Sequence, residues 1–285
     1  MMDTLKDGSS PLGDDKSLVQ YRTHMGSDLM VVNAARVSLN KESDWERVRV
    51  PVYVDRNNDY GDEPDFVMVE QLSKRDQRLI YFLARGMRES EYRRALERLA
   101  EAATVDEVVQ ALKTLNANKH WTPFGHPQVQ FRITMPIAIA RQWFKSEVGF
   151  VRNEVSRRYV DDPPEIFVPS VFHTKPEDVK QGSGGPHIRS QSWKLSAHAH
   201  ESRSYSLYTD MIEDGVAPED ARFQLPQGTY TTFIETGSLA AYARICGLRK
   251  DPHAQKEARH YAHAVSATMA SLFPVSWDAL VGTDG

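Results

Sequence analysis

Residues able to do chemistry are concentrated in one stretch. From Ala140 to Tyr159 the chain reads ARQWFKSEVGFVRNEVSRRY, with four arginines, a lysine, two glutamates, a glutamine, an asparagine and two serines set between bulky apolar residues. A purely solvated face has no use for that much aromatic and aliphatic company. The pattern suits cations and hydrogen-bond donors held rigid by packing so that they can grip an anionic ligand, arginine above all, whose planar fork matches phosphate oxygens. Composition alone favours the plainer reading, a half-buried helix followed by an amphipathic strand.

Other chemistries find less support. The single cysteine, Cys246, excludes an intrachain disulfide and lies in an apolar helical pattern, Tyr-Ala-Arg-Ile-Cys-Gly-Leu. That context favours a buried thiol, although Arg244 and Arg249 nearby leave an activated thiolate as the alternative. His260 and His263 share a helix face and His198 and His200 flank an alanine, but neither pair has carboxylates or cysteines at zinc spacing, so no metal site is expected. Neither a phosphate-binding glycine loop nor a dinucleotide fingerprint is present. A formal net charge of -4 offers no basic surplus for a nucleic-acid duplex, and no apolar run reaches the length of a membrane span. The polar start lacks the apolar core of a signal peptide. The expectation is a soluble cytoplasmic protein, in the host cytoplasm if virus-encoded.

The elements that must position these residues can be read in order. Residues 1–20 are rich in Gly, Ser, Asp and Lys and are expected as a flexible tail. Leu29 to Ser38 reads as an apolar strand running into a short helix or turn, and residues 40–70 as loops around a short Val-rich strand. Ser73 to Asp76 has capping-box spacing before a helix that stops at Gly86. Residues of about 87–117 then carry two apolar helical faces, with a second capping box at Thr104 and Glu107, and predict an inserted helical hairpin. His120 to His126 is a rigid turn, followed by a strand to Ile133 and a buried helix from Ile137 to Phe144. Asn153 to Tyr159 alternates as a strand that would present Glu154, Ser156 and Arg158 on one side. Lys180 to Pro186 is a glycine-rich loop. Helices are expected up to Gly215, from Pro218 to Arg222, from Ser238 to Leu248 and from Ala254 to Leu272, with a strand from Tyr230 to Ile234. Strands and helices mix without regular alternation, which predicts an α+β fold around a mostly antiparallel sheet flanked by helices. The expected layout is a single catalytic domain over 21–277 and a tail over 278–285.

The wording of several segments resembles the flavin-dependent thymidylate synthases. The stretch to Ser156 resembles that family's signature, and Asn153-Glu-Val-Ser-Arg-Arg-Tyr159, Thr236-Gly-Ser-Leu239, Leu248-Arg249 and His253-Ala-Gln255 keep its order and spacing. The likeness covers roughly residues 29–39, 72–85, 119–172 and 205–277, and is greatest to the branch with the longer-spaced signature, which includes viral proteins. It implies the family's α+β fold and reductive methylation of dUMP to dTMP. Methylenetetrahydrofolate would supply the carbon and reduced FAD, regenerated by NADPH, the hydride. It also implies a homotetramer with each active site between subunits.

Carried over residue by residue, the resemblance implies that Gln142, Lys145, Glu154, Ser156, Arg157, Arg158, Arg222 and Arg249 bind dUMP. Arg249 would lie beside the pyrimidine and stabilise charge developing on the ring. FAD would meet Thr122, Lys145, Ser146, Glu147, Asn153, Glu154, Ser238, Leu239, Ala240, Arg244 and His253, and His120 would lie near flavin and folate. Plainer roles stand beside these: Arg222 as a surface cation, Arg158 as a cross-strand partner, Arg249 as a cation complementing a helix C-terminus, His120 as a structural turn residue.

Four positions depart from the family pattern. An Arg-His-Arg triplet is replaced by Lys145-Ser146-Glu147, a glutamate by Gly125, a glycine by Arg157 and an asparagine by Ser238. Glu147 reverses a charge near the expected flavin. Two rival functions therefore stay open: a hydroxymethylase or dCMP-acting variant on the same fold, and a nucleotide-binding homologue without catalysis.

Overall fold

The computed structural model describes residues 7–52, 65–116, 119–176 and 182–282. Strand β1 (Leu18–Met25) opens the fold, with Val19 and Tyr21 buried and polar neighbours between them. Within the segment expected as a tail, residues from Ser9 onward are tied to the sheet. Ser9 pairs with Val19 through two 2.9 Å backbone hydrogen bonds, and the Asp14 carboxylate accepts from Ser17 N at 2.6 Å and from the Tyr230 hydroxyl. Helix α1 (Asp28–Arg36) follows where a strand was expected. Val31 and Val32 are both buried and Ala34-Ala35 favours helix, so the helical period wins over the β-branched pair.

Strands β2 (Glu46–Val52) and β3 (Asp65–Gln71) form a separate antiparallel ribbon in which Val48 faces Val69 and Val50 faces Val67. The part of the predicted loops that falls on residues 53–64 lies outside the described residues. Helix α2 (Lys74–Arg85) is capped as its sequence predicts: the Ser73 hydroxyl accepts from Asp76 N at 3.0 Å, and Gly86 takes a positive φ of 72°. The predicted hairpin is α3 (Glu89–Glu101) and α4 (Val105–Asn116). Next come β4 (Gln128–Pro136), α5 (Ile137–Trp143), β5 (Phe150–Glu154), α6 (Ser190–Glu213), α7 (Pro218–Ala221), β6 (Tyr230–Ser238), α8 (Leu239–Arg249) and α9 (Lys256–Leu272). A last helix, α10 (Pro274–Val281), occupies part of the expected C-terminal tail, because Pro274 is well suited to a first helical position.

The chain divides into two compact units, one comprising residues 1–25 and 128–271 and the other residues 26–127 and 272–285. The first is built on an antiparallel sheet of order β1-β4-β6-β5. Its register brings Phe131, Ile133 and Met135 opposite Glu235, Phe233 and Thr231, all buried on one face. Tyr242 meets the rings of Phe131 and Phe150 edge-on, and Tyr261 donates to Thr134 O at 2.8 Å, so α8 and α9 belong to the core of this unit. The opposite face carries the polar pairs Gln130–Thr236 and Thr134–Thr232.

In the second unit the buried Asp28 carboxylate accepts from Val275 N and Ser276 N, both at 2.9 Å, and so caps α10. Tyr81 donates to Asp278 on the same helix. Arg36 pairs with the buried Asp76. Among the described residues no helix is long and apolar enough to cross a membrane.

Candidate functional site

Two cation-bearing cavities lie in the first unit. The larger, about 560 Å³, is walled by the ends of three helices and by the segment after Pro169. Arg249, the last residue of α8, donates through Nη2 to the carbonyl oxygen of Gln142 on α5, while the Gln142 amide donates to Gln255 Oε1. Arg249 Nε is buried with no acceptor among the described residues, and burial lowers the pKa of its guanidinium. His253 is held by Asp251, whose carboxylate accepts from His253 N at 2.7 Å and lies 3.0 Å from Nδ1. Those two bonds hold the Asp251 carboxyl below its ordinary value. Among the described residues, the ammonium of Lys256, the imidazole of His173 and the carboxylate of Glu257 also line this cavity.

A second cavity, about 450 Å³, lies where β5 ends, and Arg141, Glu154, Ser156, Arg157 and Arg222 line it. Thr231 donates its hydroxyl to Glu154 Oε1 at 2.6 Å and so fixes the carboxylate. Arg222 Nε donates to Glu219 O and Arg158 Nε to the Glu219 carboxylate, each at 3.2 Å, so Glu219 draws both arginines to one rim. Arg157 Nη1 donates to Asp162 O at 2.5 Å. The predicted strand over 153–159 is corrected here, because β5 runs from Phe150 and ends at Glu154. Beyond it the chain turns: Tyr159 N donates to Ser156 O at 3.1 Å and Arg158 N to the Ser156 hydroxyl at 3.3 Å. Ser156 and Arg158 are therefore turn residues, and the cross-strand role for Arg158 is excluded. The polar alternation there reflects a solvated rim instead of a pleat.

The Lys145–Ser146–Glu147 segment lines neither of these two cavities, and Lys145 and Glu147 are exposed. Its turn closes at Gly149, which takes φ +84°. A Cβ there would lie 2.9 Å from Ala241 Cβ, so a side chain is excluded by both conformation and space. Ser238 N donates to Gly149 O at 3.1 Å, and the Ser238 hydroxyl caps α8 by accepting from Ala241 N at 3.2 Å. Ser238 and Leu239 are buried, so their side chains serve the core, while Ala240 is half-buried. Arg244 is exposed and donates to Val148 O, and Asn153 is exposed on β5.

Thr122 and His120 belong to the second unit. Both are exposed; His120 N donates to Leu83 O at 2.9 Å and its ring stacks on Phe82 with centroids 5.8 Å apart, in keeping with a structural turn residue. Cys246 is fully buried and its sulfur lies 3.6 Å from Ala262 O, an apolar niche that offers no access to a nucleophile.

Two features were missed in the sequence. Arg141 opens the recognised stretch yet received no role, although it lines the second cavity. Glu235 and Arg152 form a buried ion pair on the sheet's core face. The only sequence signal for it was a charged residue in each of two otherwise apolar alternations, Phe150-x-Arg152 and Phe233-x-Glu235.

Comparison with known proteins agrees with this architecture. A flavin-dependent thymidylate synthase of Thermus thermophilus is 33% identical over 176 residues, which span 62% of this chain and 64% of that protein. The chain therefore covers just under two thirds of that relative's length. A flavin-dependent thymidylate synthase of Thermotoga neapolitana is 27% identical over 272 residues, 94% of this chain and 92% of the relative. The crystal structure of the UMP/dUMP methylase PolB from Streptomyces cacaoi bound with 5-Br dUMP superposes with a TM-score of 0.63 at 23% identity, covering 92% of this chain and 93% of that one, and so shares the fold. The family model for thymidylate synthase complementing protein matches residues 67–275, well over half of the sequence, and the chain belongs to that family.

Proposed function

We propose that the protein is a flavin-dependent thymidylate synthase that converts dUMP to dTMP, taking the carbon from methylenetetrahydrofolate and electrons from NADPH. The observation that carries this reading is the pairing of two cationic cavities of different character in one unit. One is walled by a half-buried arginine with an unsatisfied Nε, the other by arginines and a serine hydroxyl on an open rim.

The rim suits a phosphate, which Ser156, Arg157 and Arg222 would hold through charge-assisted bonds, with Arg158 and Arg141 adding positive potential. Arg249 suits the pyrimidine ring. Its guanidinium is oriented by the Gln142 carbonyl, and a fixed cation there would stabilise negative charge appearing on the ring as C5 becomes nucleophilic. No protein nucleophile is required, which accords with the burial of Cys246. Lys145, His253 and Arg244 are donors of the kind that meet a flavin and its diphosphate, and the orphaned Arg249 Nε marks a place where an acceptor is wanted. Bound against Lys145, His253 and Arg244, FAD would supply the hydride that completes the methyl group. Arg222 and Arg249 line separate cavities within one chain, so we place one nucleotide across the cavities of neighbouring copies in a homotetramer.

The test is a flavin absorbance spectrum of the purified protein followed by mass analysis of the nucleotide product from dUMP and from dCMP. Flavin absorbance with a methylated product from dUMP is expected. A hydroxymethyl product, or turnover of dCMP alone, would establish the variant reaction instead. Absence of flavin absorbance even after incubation with FAD would leave a nucleotide-binding protein without catalysis.

A further inference from the structure

We propose that Arg152 is a positioning residue, which together with Glu235 fixes the Lys145–Glu147 turn in the place from which it seats the flavin. The inference rests on the flavin reading above.

Glu235 lies in the middle of β6 with a fully buried side chain. It accepts from Trp143 Nε1 at 3.1 Å and from Arg152 Nε, and the register places it directly opposite Arg152 of β5. An ion pair on this face gives little stability for its own sake, since removing two charges from water cancels most of their attraction. What it does is aim the guanidinium. With Nε held by Glu235 and the plane bordered by the rings of Phe144 and Phe150 at 5.1 and 4.6 Å, the other arm reaches outward and Nη2 donates to Ser146 O at 2.8 Å. Ser146 is the centre of the triplet that replaces Arg-His-Arg.

The same turn is held at two further carbonyls, Val148 O by Arg244 and Gly149 O by Ser238 N. Those two bonds anchor its C-terminal side; Arg152 holds the carbonyl of the residue between Lys145 and Glu147. Since Lys145 is the one cation left in the triplet, a loose turn would let it swing toward Glu147 or into water. The tether from beneath keeps the exposed charge in place.

The test uses the full-length protein titrated with FAD and followed by flavin fluorescence, with thermal unfolding recorded on the same samples. The double variant R152M/E235Q removes both charges while the glutamine keeps an amide oxygen for Trp143 Nε1, and it should keep the thermal midpoint near that of the unsubstituted protein. Its FAD dissociation constant should rise about tenfold, the effect of losing one charge-assisted bond, while nucleotide affinity is retained. R152K, which keeps the charge and can still reach one of the two acceptors, should recover part of that loss; it decides the matter alone if the double variant does not fold. Unchanged FAD affinity in either folded variant would overturn the inference, leaving the pair a structural role only. Failure of the unsubstituted protein to bind FAD would overturn the flavin reading itself, and this inference with it.

Discussion

The two cavities of the first unit are built from the same kind of residue on opposite kinds of support. Arg249 stands at the end of an eleven-residue helix, is half-buried, and has its fork tied to a main-chain carbonyl of another helix. Arg222 and Arg158 stand on short turns and are held by a surface glutamate and its carbonyl; Arg158 lies open to solvent, while Arg222 is half-buried but has its guanidinium bond at the surface. A guanidinium fixed in a partly dehydrated wall can act on charge that appears only during a reaction, because it does not need to reorganise. Solvated arginines on a rim recognise charge that is already there, such as phosphate, and water and salt weaken them. The larger cavity should therefore govern the rate and the rim the affinity.

Arg249→Ala should produce the largest effect, a fall in kcat of roughly 10²–10³-fold with a modest change in nucleotide KM, as measured in steady-state assays. If the loss appeared in KM alone, Arg249 would be a binding residue like those on the rim. Arg222→Ala should do the reverse, raising KM for the nucleotide about tenfold to a hundredfold with kcat largely kept, and the KM of the unsubstituted protein should climb with added salt. A nucleotide KM indifferent to ionic strength would show that the rim does not meet the phosphate.

A smaller effect is expected beneath the rim, where Tyr230 lines the second cavity and donates to Asp14. Burial raises the Asp14 carboxyl, but hydrogen bonds from Tyr230, Ser17 and Lys16 outweigh it, so its folded pKa lies below the ordinary 3.8. A depressed carboxylate contributes stability that is complete above its unfolded value and is lost as pH falls through the folded one. Asp14→Asn should therefore cost about 1 kcal/mol at neutral pH, measured by denaturant unfolding, and the gap from the unsubstituted protein should close below about pH 4. A gap independent of pH would show that the carboxylate charge is not what matters. Smallest of all, Cys246→Ser should leave turnover within about twofold, since the sulfur is fully buried beside the Ala262 carbonyl.

The sequence announced this fold wherever local rules and tertiary packing agree. Ser73 and Gly86 bracket α2 because capping and a left-handed stop are properties of a few adjacent residues. The hairpin of α3 and α4 followed from two apolar faces and the Thr104–Glu107 box, whose bonds form at 3.1 and 3.3 Å. Where choices depend on distant partners, reading along the chain failed. Leu29 to Ser38 carries β-branched residues but folds as α1, and the sheet begins instead at Leu18, whose partner is Thr134. The strand expected at Asn153 began three residues early because β6 supplies a mate for Phe150 at Gly237, and among the described residues no strand faces Ser156. Among the site residues, Arg222 and Arg158 could be named from motif order, but their meeting at Glu219 could not. The pair of Arg152 and Glu235 joins strands far apart in sequence, and its local mark, one charge within each strand's alternation, does not say that the two meet.

The central claim is that one nucleotide is held by Arg249 of one copy and by Arg222 of another. Its most direct test mixes the Arg249→Ala and Arg222→Ala variants, under conditions that let subunits exchange and at a nucleotide concentration far below the raised KM of the second, where each variant alone turns over poorly. Turnover in the mixture should exceed the sum of the two components, because some assembled sites then carry both native arginines. If exchange is demonstrated and the mixture stays as slow as its components, the two cavities do not share a substrate and the claim is wrong.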